Sequence, residues 1–389
     1  MPIGTTKLRD GRCIPNLAFG SGSALRGKDA YESVAAALRT GFRHIDTAQL
    51  YHNEDSVGMA IKEWLDGDLG YESRGSEKHA IGNSPTFGLP SNKREDLWVT
   101  TKYGGGDQGP YEELKNSLKR LQLEYVDLYL IHNPKLIHGN LEDIWRGMEQ
   151  AKNDGIAKSI GVSNFDAKQL SDIVKIAKEV PVINQINLHP YLYQSSLDLL
   201  KFCNENRIVV EAYGSLYPIT QYPDGPVTAA LIEPQHRLIA TAAQVLFLWV
   251  RAKGAVIVTT TNRSERLVEY LALGKLGPLY QAEVNAIDAA GAIPSSDIES
   301  NGWLVIMTDP TIPHIHHILK YRRFISCILI LQATALTYFV YVRSLRRASS
   351  NWETMVCASS VTIFFIASIL LTLIRRRATA RVVGAGANV

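Results

Sequence analysis

Eight short apolar segments, separated by longer amphipathic ones, recur along residues 17–272 and constrain the fold more than any other feature of this 389-residue chain. The amphipathic stretches include YEELKNSLKRLQ (111–122) and FDAKQLSDIVKIAKEV (165–180), and apolar residues of the second recur at helical spacing. Eight strand–helix units over roughly 250 residues are typical of an α/β fold, the (β/α)8 TIM barrel. The predicted strands cover residues 17–20, 42–46, 97–102, 126–132, 156–163, 182–185, 208–213 and 255–260.

Polar side chains stand at the carboxyl ends of several predicted strands, where a barrel of this type carries its chemistry. Asp46, Lys102 and His132 occupy such positions, and Tyr51 follows Asp46 by five residues. A carboxylate, an ammonium, an imidazole and a phenol can together protonate a carbonyl oxygen while a hydride arrives at the carbon. Taken singly, each has a plainer interpretation: a strand-end His can be a core residue, an Asp can cap a helix, and a loop Tyr can serve packing.

The segments that carry these four residues resemble the aldo-keto reductases: GFRHIDTAQLYHNE (41–54), VTTKYGG (99–105) and VDLYLIHNP (126–134). The resemblance covers about residues 3–291 and implies that the four residues form a catalytic tetrad. In that tetrad Tyr51 is the general acid, and Lys102 lowers the pKa of its phenol. Asp46 pairs with Lys102, and His132 hydrogen-bonds the substrate oxygen. The implied reaction is the reversible, NADPH-dependent reduction of an aldehyde or ketone.

A nicotinamide dinucleotide is the implied cofactor, because no side chain transfers hydride and no GxGxxG follows a strand here. The residues that match the family's carboxamide-binding and ring-stacking groups are Ser163, Asn164, Gln185 and Tyr213. The family's phosphate-binding pattern is less complete in IVTTTNRSERLVEY (257–270). Arg266 and Glu269 match it, whereas Thr260 stands at its Lys position and Thr261 at its Ser position. Arginine binds phosphate in bidentate geometry, so NADPH is favoured, and NADH stays possible.

Three positions that often carry tryptophan in that family hold smaller residues here, namely Gly22, Gly104 and Asn133. Loss of the indole rings predicts a larger and wetter substrate pocket, with less stacking area for small aromatic aldehydes. We therefore hypothesise that polar or bulky carbonyl compounds are better substrates than benzaldehyde.

Two parts of the chain depart from the barrel pattern predicted for residues 1–291. Residues 66–92, rich in Gly, Ser, Pro and Asn, are an insertion relative to the family. This insertion is interpreted as a substrate-side flap, a neutral loop or retained non-coding sequence. The second part is a linker (292–319), a predicted transmembrane hairpin (320–377) and a tail (378–389).

The hairpin prediction depends on two segments without charge, residues 324–342 and 354–374, each long enough to cross a bilayer. Six basic residues flank the pair and three lie between its members, which favours cytosolic outer flanks. We therefore expect a membrane protein whose catalytic domain faces the cytosol, or a cytosolic one if the tail is a gene-model artefact. The N-terminus lacks the apolar stretch of a signal peptide.

The remaining partners follow from composition. Forty-one basic residues against 38 acidic ones indicate no nucleic-acid partner, and four scattered cysteines indicate neither a disulfide nor a metal site. A monomeric barrel is expected. The alternative function is a nicotinamide-binding regulatory subunit of a membrane protein, against which the intact tetrad argues. A barrel enzyme of unrelated chemistry would need a metal or phosphate site.

Overall fold

The computed structural model describes residues 3–69, 92–106, 108–137 and 139–292. Its strands are β1 (Thr5–Lys7), β2 (Cys13–Pro15), β3 (Leu17–Gly20), β4 (His44–Asp46), β5 (Trp98–Tyr103), β6 (Val126–Ile131), β7 (Ala157–Ser163), β8 (Ile183–Asn187), β9 (Val209–Tyr213) and β10 (Val256–Thr259). Its α-helices are α1 (Tyr31–Thr40), α2 (Glu54–Asp66), α3 (Gly109–Leu121), α4 (Leu141–Asn153), α5 (Ala167–Ile176), α6 (Pro190–Tyr193), α7 (Leu197–Glu205), α8 (Tyr217–Gln221), α9 (Pro226–Ala230), α10 (Ile232–Leu238), α11 (Ala242–Ala252), α12 (Ser264–Leu271) and α13 (Gln281–Gly291).

Strands β3 to β10 form a closed parallel barrel in which β10 pairs with both β3 and β9. Each of the eight predicted strands overlaps one barrel strand, with bounds that differ by at most two residues. The prediction of a (β/α)8 barrel is therefore confirmed. Closure brings the carboxyl ends of all eight strands to one rim, which is where the candidate catalytic residues lie.

The antiparallel hairpin β1–β2 was not among the predicted elements. Its Leu8 and Ile14 pack in a buried apolar cluster with Trp98, Ile183 and Val256, which begin β5, β8 and β10. The hairpin thus covers the amino ends of the strands and leaves the opposite rim for chemistry. Its residues alternate too briefly to be recognised from periodicity alone.

The helices bury their predicted apolar faces against the barrel. In α5, Leu170 and Ile173 are fully buried, as the helical spacing in residues 165–180 predicts. Asp166 and Gln169 form a capping box that fixes where this helix begins. The helix predicted at 111–122 corresponds to α3.

Most of the predicted insertion and all of the predicted hairpin lie outside the described residues. Helix α2 ends at Asp66 and is followed by Gly67 in the left-handed conformation. The structure thus describes only the edges of the 66–92 insertion. Within the part of the chain that it does describe, no helix is long and apolar enough to cross a bilayer.

Ile239, which follows α10, adopts a conformation that suits glycine rather than a β-branched residue. Its φ is 50° and ψ 49°, and its side chain is 93 % exposed. Left-handed backbone costs a residue of this kind about 1–2 kcal/mol, and little apolar burial is lost on its removal. We expect Ile239→Gly to raise the free energy of unfolding by about 1 kcal/mol, and with it the thermal midpoint.

Val268→Gly is the matched control, because Val268 is also exposed but lies inside helix α12. There a glycine should lower the free energy of unfolding by about 0.5 kcal/mol. An Ile239→Gly variant whose thermal midpoint is no higher than that of the parent chain would contradict the expectation.

Candidate active site

A buried ion pair lies at the rim between β4 and β5. The Lys102 Nζ atom donates hydrogen bonds to Asp46 Oδ1 at 2.6 Å and to the Thr47 carbonyl oxygen at 3.0 Å. Burial lowers the pKa of Lys102, but the charge of Asp46 and its hydrogen bond outweigh that effect and leave the pKa raised. Lys102 is therefore a fixed ammonium ion inside the barrel.

Tyr51 ends a 3-10 turn, Gln49–Tyr51, that places its phenol beside this ion pair. Its Oη lies 3.4 Å from Lys102 Nζ. Burial raises the pKa of Tyr51, and the nearby charge of Lys102 opposes that rise without reversing it. The expectation of a lowered pKa was therefore wrong in its net sign, because desolvation of the phenolate is the larger effect. The phenol therefore stays protonated at neutral pH.

His132 follows β6 and stands edge-on against Tyr51, with ring centroids 5.4 Å apart and an interplanar angle of 85°. Its backbone N–H donates to the Tyr103 carbonyl oxygen at 3.1 Å. Its carbonyl oxygen accepts a hydrogen bond from Asn164 Nδ2 at 3.0 Å. These contacts hold the backbone of His132 between the ends of β5 and β7.

Four of the residues predicted to bind the cofactor form one hydrogen-bonded group on β7, β8 and β9. Ser163 Oγ donates to the Gln185 carbonyl oxygen at 2.8 Å, and Asn164 Nδ2 donates to Ser163 Oγ at 3.0 Å. The Tyr213 hydroxyl donates to Asn164 Oδ1 at 2.8 Å, which fixes its ring relative to the amide. Asn164 has a φ of 63°, a left-handed conformation that asparagine tolerates.

Gln185 connects this group to the tetrad through a residue that sequence reasoning missed. Its Nε2 donates to Asp46 Oδ2 and to Glu211 Oε2, both at 2.8 Å. Glu211 is fully buried on β9, and burial together with the charge of Asp46 raises its pKa to about 8. The signal was an acid within an apolar segment, two residues before Tyr213 and so on the same strand face.

The residues predicted to hold the cofactor's phosphate end lie in the segment that follows β10. Thr260 is half-buried, and Thr261 Oγ1 accepts a hydrogen bond from the Arg263 N–H at 3.1 Å. Arg266 is exposed on α12. Glu269 Oε1 accepts a hydrogen bond from Thr241 Oγ1 at 2.5 Å, so it links α12 to the start of α11. The segment therefore offers the Arg263 and Arg266 side chains to solvent near the amino end of α12.

The space beside two of the three substituted tryptophan positions is filled by the turn that carries Tyr51. A Cβ atom on Gly22 would lie 2.8 Å from Tyr51 Cζ, and one on Gly104 would lie 2.9 Å from Leu50 Cγ. The two glycines thus allow the turn to approach closely, and the larger, wetter pocket stays a prediction. At the third position, Asn133 Oδ1 accepts a hydrogen bond from the Lys135 N–H at 2.9 Å and caps a 3-10 turn.

We expect Gly22→Ala to lower kcat by about 10- to 100-fold, because its methyl group must displace the Tyr51 ring from its place beside Lys102. Gly277→Ala is the matched control, since its nearest neighbour is 4.0 Å from the added Cβ. The kcat of both variants is measured from carbonyl-dependent NADPH oxidation. A Gly22→Ala kcat within twofold of the control would show that Tyr51 tolerates the shift.

No group of three or more His, Cys, Asp or Glu side chains is placed to hold a metal ion within residues 3–69, 92–106, 108–137 and 139–292. The described rim supplies hydrogen-bond donors and acceptors, a phenol and an ammonium ion.

Comparison with known proteins identifies relatives that span the barrel. The sequence profile of the Aldo/keto reductase family matches residues 16–218. The NAD/NADP-dependent indole-3-acetaldehyde reductase of Schizosaccharomyces pombe is 34% identical over 268 residues, which are 66% of this chain and 85% of that protein. The glyoxal reductase of Bacillus subtilis is 33% identical over 289 residues, 73% of this chain and 92% of that protein. A crystal structure of a Bombyx mori aldo-keto reductase in complex with NADP superposes with a TM-score of 0.61 and 29% identity, covering 77% of this chain and 97% of that one.

Proposed function

Because this chain belongs to the aldo/keto reductase family and is thus an NAD(P)H-dependent oxidoreductase, we propose that it reduces an aldehyde or ketone to an alcohol with NADPH. The observation that carries this proposal is the contact of one buried ammonium group, that of Lys102, with both Asp46 and Tyr51. The Tyr51 phenol thus lies at the rim beside the Lys102 ammonium group, whose charge would stabilise the phenolate that remains after proton transfer. The reaction is reversible, and the alcohol is oxidised in the opposite direction.

Tyr51 gives its Oη proton to the carbonyl oxygen, and Lys102 stabilises the phenolate that remains. The bound nicotinamide supplies the hydride that no side chain can supply. Asp46 keeps Lys102 charged and in place. Tyr51 then regains a proton from water, so that one hydride and one proton are consumed for each carbonyl group reduced.

His132 orients the substrate. Its ring lies edge-on to the Tyr51 ring, with centroids 5.4 Å apart, so both side chains serve one carbonyl oxygen. A hydrogen bond from the imidazole polarises the carbonyl and directs it toward the phenol.

The residues present fit a nicotinamide dinucleotide. Asn164 and Gln185 supply amide groups for its carboxamide, next to Ser163, and Tyr213 supplies an aromatic face for its ring. Two buried oxygen atoms, Asn187 Oδ1 and Ser215 Oγ, have no hydrogen-bond partner within the described residues. Both are therefore able to hydrogen-bond a polar ligand at the rim.

The exposed arginines near α12 favour NADPH. Arg266, with Arg263 close to it, would hold a 2′-phosphate, while Thr260 and Thr261 offer hydroxyl groups to it. NADH is the second cofactor to test, because the Schizosaccharomyces pombe relative is named for both NAD and NADP.

The experiment is a carbonyl panel with the full chain, in which NADPH absorbance and alcohol formation are followed together. Glyoxal, indole-3-acetaldehyde, benzaldehyde and a bulky ketone would each be tested with NADPH and with NADH. Equimolar NADPH oxidation and alcohol formation would support the reductase. Tight NADPH binding without turnover of any carbonyl would instead favour the regulatory subunit, and benzaldehyde as the best substrate would refute the hypothesis about the pocket.

The sequence also supports a membrane tether, which we propose for residues 320–377 with the barrel on the cytosolic side. Its support is the pair of uncharged segments at 324–342 and 354–374 and their basic flanks. Alkaline carbonate extraction of membranes from cells that express the full chain tests it, with a chain ending at residue 292 as control. Retention of the full chain alone in the pellet supports the tether. Release of both, or absence of tail peptides in mass spectra, refutes it.

A further inference from the structure

One amide group bridges two buried carboxyl groups inside the barrel. Gln185 and Glu211 are register partners on β8 and β9, and Gln185 Nε2 donates to Glu211 Oε2 at 2.8 Å. The same nitrogen donates to Asp46 Oδ2 at 2.8 Å, while Asp46 Oδ1 holds Lys102. An unbroken chain of hydrogen bonds thus runs from Glu211 to the ammonium group that contacts Tyr51.

The groups around Glu211 offer it little compensation for a negative charge. His44 on β4 has its Nε2 3.7 Å from Glu211 Oε1, but that nitrogen is bonded to Thr100 Oγ1 at 3.0 Å. Burial lowers the pKa of His44 to about 4, so its imidazole is neutral at neutral pH. Lys102 on β5 is paired with Asp46, and the register partner on β10 is the apolar Val256.

The surroundings of the second carboxyl oxygen of Glu211 favour the neutral form of the group. Oε1 is buried and has no hydrogen-bond partner within the described residues. A buried oxygen of this kind is tolerated in a neutral carboxyl group much better than in a carboxylate.

We propose that Glu211 is a positioning residue for the reduction proposed above, which holds the Gln185 amide while it is protonated and weakens proton transfer from Tyr51 when it ionises. The first part follows from the donor count of Gln185. Both hydrogens of its Nε2 group are engaged by the two carboxyl groups, so only its amide oxygen is offered to a bound molecule. An acceptor oxygen selects an N–H donor, which the carboxamide of nicotinamide possesses.

The second part follows from charge. Burial, and then the charge of Asp46, raise the pKa of Glu211 to about 8, so the carboxyl group is mostly protonated at pH 7 and loses its proton above pH 8. Asp46, Lys102 and Glu211 together are then neutral below this pH and carry one net negative charge above it. The added charge opposes formation of the Tyr51 phenolate, and the rate of reduction falls.

The test uses two variants of the full chain, Glu211→Gln and Glu211→Leu, and measures kcat against pH and NADPH affinity by fluorescence titration. Glutamine cannot ionise and still accepts a hydrogen bond from Gln185, so we expect kcat to lose its decline near pH 8. Leucine removes the acceptor, and we expect NADPH to bind about fivefold more weakly at every pH. Glu283→Gln is the matched control, because Glu283 is buried but pairs with Arg237 away from this chain of hydrogen bonds.

A decline near pH 8 that persists in Glu211→Gln would overturn the charge argument, and unchanged NADPH affinity in Glu211→Leu would overturn the amide argument. If the leucine variant fails to fold, the pH profile of the glutamine variant still tests the charge argument. The affinity measurement needs no turnover. A chain that binds NADPH in a Glu211-dependent manner but reduces no carbonyl would refute both the proposed reduction and the charge argument, and would retain only the hold of Glu211 on the Gln185 amide.

Discussion

Tyr51→Phe should abolish carbonyl reduction and leave NADPH binding intact. The change removes the Oη atom 3.4 Å from Lys102 Nζ, and no other hydroxyl contacts that ammonium group among the hydrogen bonds of the described residues. A general acid contributes about 10²- to 10⁴-fold to the rate, so we expect kcat/KM to fall by about 10³-fold. The phenylalanine ring keeps the contacts with Gly22 and His132, so the turn should keep its position.

Tyr111→Phe is the control for this variant. It also removes one hydroxyl group, which donates to Asp154 Oδ2 at 2.8 Å on the surface, far from any proposed role in proton transfer. Stopped-flow or steady-state NADPH oxidation gives the rates, and fluorescence titration gives the cofactor affinity. Retention of more than a tenth of the parent kcat/KM by Tyr51→Phe would assign proton donation to another group.

The strand-end positions of Asp46, Lys102 and His132 could be predicted because parallel register imposes them, whereas the grouping with Tyr51 came from the family resemblance. Strand β4 pairs with β5 so that Asp46 lies opposite Thr100, and Lys102 is two residues further along the same face. Once eight strand–helix units are recognised, their carboxyl ends must share one rim. The alternation of a strand also places Gln185 and Asn187 on one face of β8. Local pattern and barrel closure thus decide much of the site.

Properties that depend on the balance of opposing effects were not available from the sequence. Proximity of Tyr51 to Lys102 was predictable, but the sign of the net pKa shift required the burial of the phenol. The same holds for the close approach of Gly22 to the Tyr51 ring, which only the structure reveals. Glu211 acquires its importance only through hydrogen bonds made across 26 residues of sequence. Burial, packing and long-range contacts are tertiary quantities, and no local pattern encodes them.

Lys102→Met should both inactivate and destabilise the protein, because it leaves the carboxylate of Asp46 buried without its partner. Both side chains of this pair are almost fully buried, at 0% and 2% exposure. Removal of one member of such a pair typically costs about 3–5 kcal/mol of folding free energy. We expect the urea midpoint to fall accordingly, and carbonyl reduction to fall by at least about 10²-fold, since the Tyr51 phenolate loses its cation.

The double variant Asp46→Asn/Lys102→Met separates the two effects. It removes the uncompensated charge, so most of the lost stability should return, whereas activity should not, because the cation beside Tyr51 is still absent. Lys115→Met is the surface control: its pairing with Glu112 is half-exposed, and such pairs contribute only about 0–1 kcal/mol. Equal urea midpoints for the single and double variants would mean that the unpaired carboxylate of Asp46 is not what destabilises the single variant. Restored activity in the double variant would contradict the role given to the charge of Lys102, because the cation that stabilises the Tyr51 phenolate is absent there.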